Sequence, residues 1–158
     1  MAEEERIPGY LFGALGASDG KTESALVVIK IGVHAYGGKI LNPHVASREE
    51  NQKMREELGL KGLKKFDWDK IDEAKFAIGD VSLPSIGVGR EIERLLNTRR
   101  VPILALRSAA SNYHSALVDG EDDPNFLLDF YHNYVDLDVI IESFMRRLKT
   151  SWYDHQNG

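Results

Sequence analysis

The stretch PSIGVGRE, residues 84–91, sets a serine, two closely spaced glycines and a carboxylate at the head of an amphipathic segment. Backbone N–H groups at such a turn, with the Ser85 hydroxyl beside them and bare backbone at Gly87 and Gly89, suit one anionic group the size of a monophosphate. The segment reads as a helix begun at Gly89. That puts Glu91 in the first turn, where the partial positive charge of the helix start favours an ionised carboxylate at neutral pH. A second carboxylate, Asp67 in FDWDKIDEA, is placed to cap another helix.

The glycine pair is not a dinucleotide fingerprint, because Ile92 stands where the third glycine belongs and the motif follows the third strand instead of the first. Nor is it a triphosphate loop, since no lysine followed by serine or threonine closes the turn. The chain's 158 residues, 42% hydrophobic, are enough for one core. A net charge of −5 argues against nucleic acid as a partner. Clusters such as Lys61, Lys64 and Lys65 read as solvated faces. The chain has no cysteine, which leaves no disulfide, thiolate nucleophile or zinc-thiolate site and agrees with a reducing compartment. The acidic start MAEEERIPG is unlike a secretory signal, and no apolar run reaches the roughly 18 residues a membrane helix needs. The expectation is a cytoplasmic or nuclear protein with no membrane contact.

These residues are held by a pattern of alternating strands and helices. GYLFGALGAS reads as a strand entering a small-residue loop, after which Ser18, Asp19 and Thr22 offer helix-start chemistry. ALVVIKIGVHAY suits either element and is assigned to a helix. KILNPHV is a second strand stopped by Pro43. SREENQKMREELG is a charged helix capped by Ser47 and ended by Gly59, and DWDKIDEAK is a separate helix leading into the strand FAIGDV. VPILAL is apolar throughout, as a parallel strand covered on both faces would be. NFLLDFY is a fifth strand. Leu137, Ile140, Ile141, Phe144 and Leu148 line one face of a last helix, and TSWYDHQNG is a loose tail. Such alternation predicts a single α/β domain over 1–158, with its core at about 7–148 and its tail at 149–158. The expected form is a Rossmann-like (flavodoxin-like) three-layer sandwich on a five-stranded, mostly parallel sheet. Ligands of such folds bind beyond the carboxyl ends of the strands, here the loops after Gly13, Leu41, Val81 and Leu106.

Taken together, the residues resemble the nucleoside 2-deoxyribosyltransferase superfamily, most closely its 2′-deoxynucleoside 5′-monophosphate N-hydrolases. PSIGVGRE matches the family's glutamate turn, FDWDKIDEA its upstream aspartate, HSAL a serine triplet, YLFG a tyrosine of the first strand, and PHV a histidine after the second. The match runs in order from residue 9 to residue 148.

That resemblance implies Glu91 as nucleophile at C1′, Asp67 as the group that protonates or orients the leaving base, and Tyr10 as a hydrogen-bonding partner of Glu91 or the sugar. It also implies that Ser85, Gly87, Gly89 and Ser115 grip the 5′-phosphate, with Gly13 and His44 at the substrate and Ser115 reaching the site of a neighbouring subunit in a homodimer. No metal or organic cofactor is called for. Three positions depart from the pattern. Ala14 replaces a serine, so one phosphate contact is lost or passes to Ser18. Arg90 replaces an aromatic residue and Glu93 a small one, which leaves substrate identity open. The alternatives are a transferase that exchanges bases, a hydrolase of ribonucleotides such as CMP, and a nonenzymatic nucleotide sensor on the same scaffold.

Overall fold

The computed structural model describes residues 6–16 and 20–156. Ser18, with Asp19, lies outside the described residues. The elements in chain order are β1 (Ile7–Phe12), α1 (Lys21–Ala35), β2 (Gly38–Ile40), a 3₁₀ turn (Pro43–Ala46), α2 (Arg48–Glu73) and β3 (Phe76–Asp80). They continue with α3 (Ile86–Arg94), a π-helical turn (Leu95–Arg99), β4 (Ile103–Ser108), α4 (Ala116–Asp119), β5 (Phe126–Tyr131) and α5 (Tyr134–Gln156).

All five strands are parallel, in the order β2-β1-β3-β4-β5. The order reverses between β1 and β3, and in open sheets of this kind ligands bind at that switch point. Strand alternation assigns each side chain its layer. Leu11, Ile78, Leu104 and Leu106 pack beneath α1 and α5, whereas Tyr10, Phe12, Ala77, Ile103 and Ala105 face α2 and α3. β1 and β3 approach closely at the switch point because Gly79 stands opposite Phe12. A Cβ on Gly79 would lie 1.9 Å from the Phe12 carbonyl oxygen, so that register requires glycine.

Several boundaries differ from the sequence expectations. β2 is only three residues long and gives way to the 3₁₀ turn. Ser47 does cap α2, accepting from the Glu50 N–H at 3.2 Å. Gly59 does not end it: with φ 66° and ψ 173° it takes up one non-helical residue, a kink after which the helix resumes and runs to Glu73. DWDKIDE, residues 67–73, is therefore the last part of α2 and not a separate helix, so Asp67 is not an N-cap. α3 starts at Ile86, before the predicted Gly89, because the Ser85 hydroxyl accepts from the Val88 N–H at 3.2 Å. α1 begins beyond Gly20, whose φ is 69°, with no side-chain cap. Residues 149–156 are not a loose tail: α5 continues through them, and Trp152 packs on the α1/α5 core. Among the described residues no helix is long and apolar enough to cross a membrane.

Candidate active site

Tyr10, Asp67, Glu91 and His44 come from four separate elements and converge beneath α2 and α3. Tyr10 is fully buried on β1 and points into that layer by strand alternation. Glu91 follows Val88 by three residues and precedes Leu95 by four, so it shares the buried stripe of α3. Asp67 precedes Ile71, the one buried residue of α2, by four and is turned inward with it. His44 is fixed by the 3₁₀ turn, where Pro43 supplies the first-turn geometry.

The Tyr10 hydroxyl donates to Glu91 Oε1 at 3.0 Å. His44 Nε2 lies 3.5 Å from Asp67 Oδ1, and the His44 ring meets Phe66 edge-on with centroids 5.5 Å apart. Burial pushes the Glu91 carboxyl from its ordinary 4.5 up to about 8; the Tyr10 hydrogen bond pulls it down and the charge of Asp67 pushes it up. The expectation of an ionised Glu91 at neutral pH is thereby corrected. That expectation rested on first-turn placement, but Glu91 is the sixth residue of α3, past the free amides and inside a water-poor layer. Tyr10 is held well above its ordinary pKa by burial and by the charges of Glu91 and Asp67, so it remains a neutral donor. Two atoms of the group, His44 Nδ1 and Asp67 Oδ1, are buried without a hydrogen-bond partner. Unsatisfied polar atoms at such depth are costly in a folded protein.

Ser85 and Ser115 face one cavity of about 950 Å³, together with Gly89, Trp68, Arg90 and Tyr113. Tyr10, Asp67, Glu91 and His44 are not among its lining residues, although Trp68 beside Asp67 and Arg90 and Ile92 on either side of Glu91 are. The Arg90 guanidinium lies 5.8 Å from the centre of the Trp68 ring, and Arg94 lies 5.0 Å from it. Around Gly89 nothing approaches a built Cβ within 4 Å, and at Gly87 only the Ser85 hydroxyl does, at 3.7 Å. The first turn of α3 thus shows bare backbone to open space. Gly13 ends β1 against Leu26, whose side chain a Cβ would meet at 2.6 Å, so its glycine is accounted for by packing.

Two residues that position this region escaped sequence reasoning. Asn42 is fully buried and spans both polar groups of Leu11, accepting from its N–H at 2.8 Å and donating to its carbonyl at 2.7 Å. It extends the β1–β2 pairing by one side chain and so ties the His44 turn to the strand that carries Tyr10. Arg107, 1% exposed at the end of β4, forms a two-pronged ion pair with Asp119. The signal for Arg107 was an arginine closing an otherwise apolar strand. Asn42 had only its place before Pro43. Among the described residues no group of three His, Asp or Glu side chains is placed to hold a metal ion.

A five-stranded parallel sheet in this order, helices on both faces and a polar cluster at the switch point define a flavodoxin-like α/β sandwich. The solved structure of the CMP N-glycosidase BcmB from Clostridium botulinum has the same fold: TM-score 0.56, with 90% of this chain and 98% of that one covered at 15% sequence identity. No protein-family model and no curated protein matches the sequence.

Proposed function

We propose that this chain is an N-glycosidase that hydrolyses the base–sugar bond of nucleoside 5′-monophosphates. The observation that carries the reading is the Tyr10–Glu91 hydrogen bond with Asp67 and His44 beside it: two carboxylates in one water-poor cluster, one of them aligned by a neutral donor. Cleavage of an N-glycosidic bond passes through an oxocarbenium-like state, which needs negative charge beneath C1′ and a proton for the departing nitrogen. Ionised Glu91 attacks C1′; the C1′–N bond breaks, its electron pair leaves with the base, and a water directed by the Asp67 carboxylate gives the departing nitrogen its proton. The hydroxide so formed, oriented by Asp67, bonds to C1′, and the Glu91–sugar ester is released as free carboxylate. With its pKa at about 8, Glu91 is ionised in only a minority of molecules at neutral pH, and turnover increases with alkalinity.

Ser85, the exposed first turn of α3 and Ser115 serve the phosphate in this reading. Ile86 and Leu117, each 87% exposed, flank the two serines in the cavity. They support pairing of two copies in which Ser115 reaches the neighbouring site. A ribonucleotide substrate is the second reading, favoured by the likeness to BcmB, a CMP N-glycosidase. The test is incubation with a panel of nucleosides, 2′-deoxynucleoside monophosphates and ribonucleoside monophosphates, with and without an added free base, followed by chromatography. Base release confined to monophosphates is the expected result. Base exchange on unphosphorylated nucleosides would overturn it in favour of a transferase.

A further inference from the structure

The β4–β5 connection carries Tyr113 and Ser115 to the serine cavity, and it is tethered at two places. Near its start, the Ser111 hydroxyl donates to the Ser82 carbonyl at 2.5 Å and the Ser108 N–H donates to the Ser82 hydroxyl at 2.8 Å. At its far end is Asp119. Arg107 Nη1 and Nη2 grip the two carboxylate oxygens of Asp119, the second contact at 3.2 Å, and the Ser115 N–H donates to Asp119 Oδ2 at 2.7 Å. His114 Nδ1 lies 3.2 Å from Arg107 Nη1 and 3.5 Å from Asp119 Oδ1, and the Arg107 guanidinium sits 5.9 Å from the Phe130 ring centre.

Two features separate this arrangement from an ordinary surface ion pair, which contributes little. Arg107 is almost wholly enclosed, and its Nε is buried without a partner, so its charge depends on Asp119 for compensation. Ser115 is the residue before α4, where a serine hydroxyl ordinarily caps the helix, yet here it makes no cap hydrogen bond. The Asp119 carboxylate instead holds the Ser115 backbone, which leaves the hydroxyl for the cavity. Arg107 further holds Asp119 ionised, well below the usual carboxylate range, so the tether persists in acid.

We propose that Arg107 and Asp119 form a latch that sets the position of Ser115 for phosphate recognition, with Asp119 as the positioning residue. The proposal rests on the reading of the cavity as a phosphate site. Asp119→Ala and Ser115→Ala should each raise KM for a nucleoside monophosphate, and the inhibition constant of inorganic phosphate, by about tenfold at nearly constant kcat. The double variant should lose no more than either single one, because both remove the same contact. Amide hydrogen exchange at residues 115–119 should quicken by about tenfold in Asp119→Ala and not in Ser115→Ala. Wild-type KM in Asp119→Ala beside a raised KM in Ser115→Ala, fully additive losses, or unchanged exchange would overturn the latch. If Ser115→Ala leaves KM and phosphate inhibition untouched, the phosphate role of Ser115 falls, and the exchange measurement still decides whether Asp119 holds the backbone. Asp119→Glu, which keeps the charge, should recover part of the loss.

Discussion

Replacing Glu91 by glutamine should make the protein more stable and less active, and the gain should grow with pH. The folded state holds the Glu91 proton more tightly than the unfolded chain does, with a pKa near 8 against an ordinary 4.5, a rise of about 3.5. A raised folded-state pKa contributes stability that is fully present below about pH 4.5 and is lost as the pH climbs through about 8. At about 1.4 kcal/mol for each step of one pH unit, about 3 kcal/mol has gone by pH 7 and about 5 kcal/mol above pH 8. Glutamine keeps the side chain neutral and its oxygen available to Tyr10, so the variant carries no such slope. Urea denaturation followed by tryptophan fluorescence, from about pH 5 to about pH 9, reads the difference. The two proteins should have similar stability at the acidic end and diverge steadily in favour of Glu91→Gln. Parallel curves across the whole range would refute the claim that the carboxyl is held in a desolvating site.

Other outcomes follow from the same geometry. The rate of base release should rise with pH to a plateau above about 8, and Tyr10→Phe should move that rise to higher pH, because the Tyr10 hydrogen bond lowers the Glu91 pKa; a pH–rate profile of both proteins checks this. Asp67→Asn should cut turnover by about 10²- to 10⁴-fold, as loss of a proton-transfer group does, and shift the alkaline rise downward by removing a neighbouring negative charge; single-turnover base release measures both. Asn42→Ala leaves the N–H and carbonyl of Leu11 without their side-chain partner and should cost about 2–4 kcal/mol in urea denaturation.

The layout of the sheet was readable because a doubly covered strand has a plain signature. VPILAL is apolar at every position, and β4 is buried through Arg107. The last helix was readable for the same reason, since its apolar face recurs at helical spacing. Boundaries were harder wherever a local breaker was overruled. Gly59 reads as a stop, yet one non-helical residue there let the helix resume, which placed Asp67 within α2 instead of at a cap. Gly89 reads as a start, yet the Ser85 hydroxyl had already nucleated α3. That shift turned Glu91 inward and reversed its expected charge state, a consequence for chemistry of a few residues' error. Asn42 with Leu11 and Arg107 with Asp119 are pairings set by the fold, joining residues 31 and 12 apart, and neither side chain carries a local mark of its partner.

The central claim is that Glu91 carries the bond cleavage, and the most direct measurement is base release from nucleoside monophosphates by wild-type protein and by Glu91→Gln, each first shown to be folded. Release by the wild type and none above background from the variant is the expected result, even though the variant is the more stable protein at neutral pH. Undiminished release by Glu91→Gln, or no release by the wild type from any monophosphate, would contradict it.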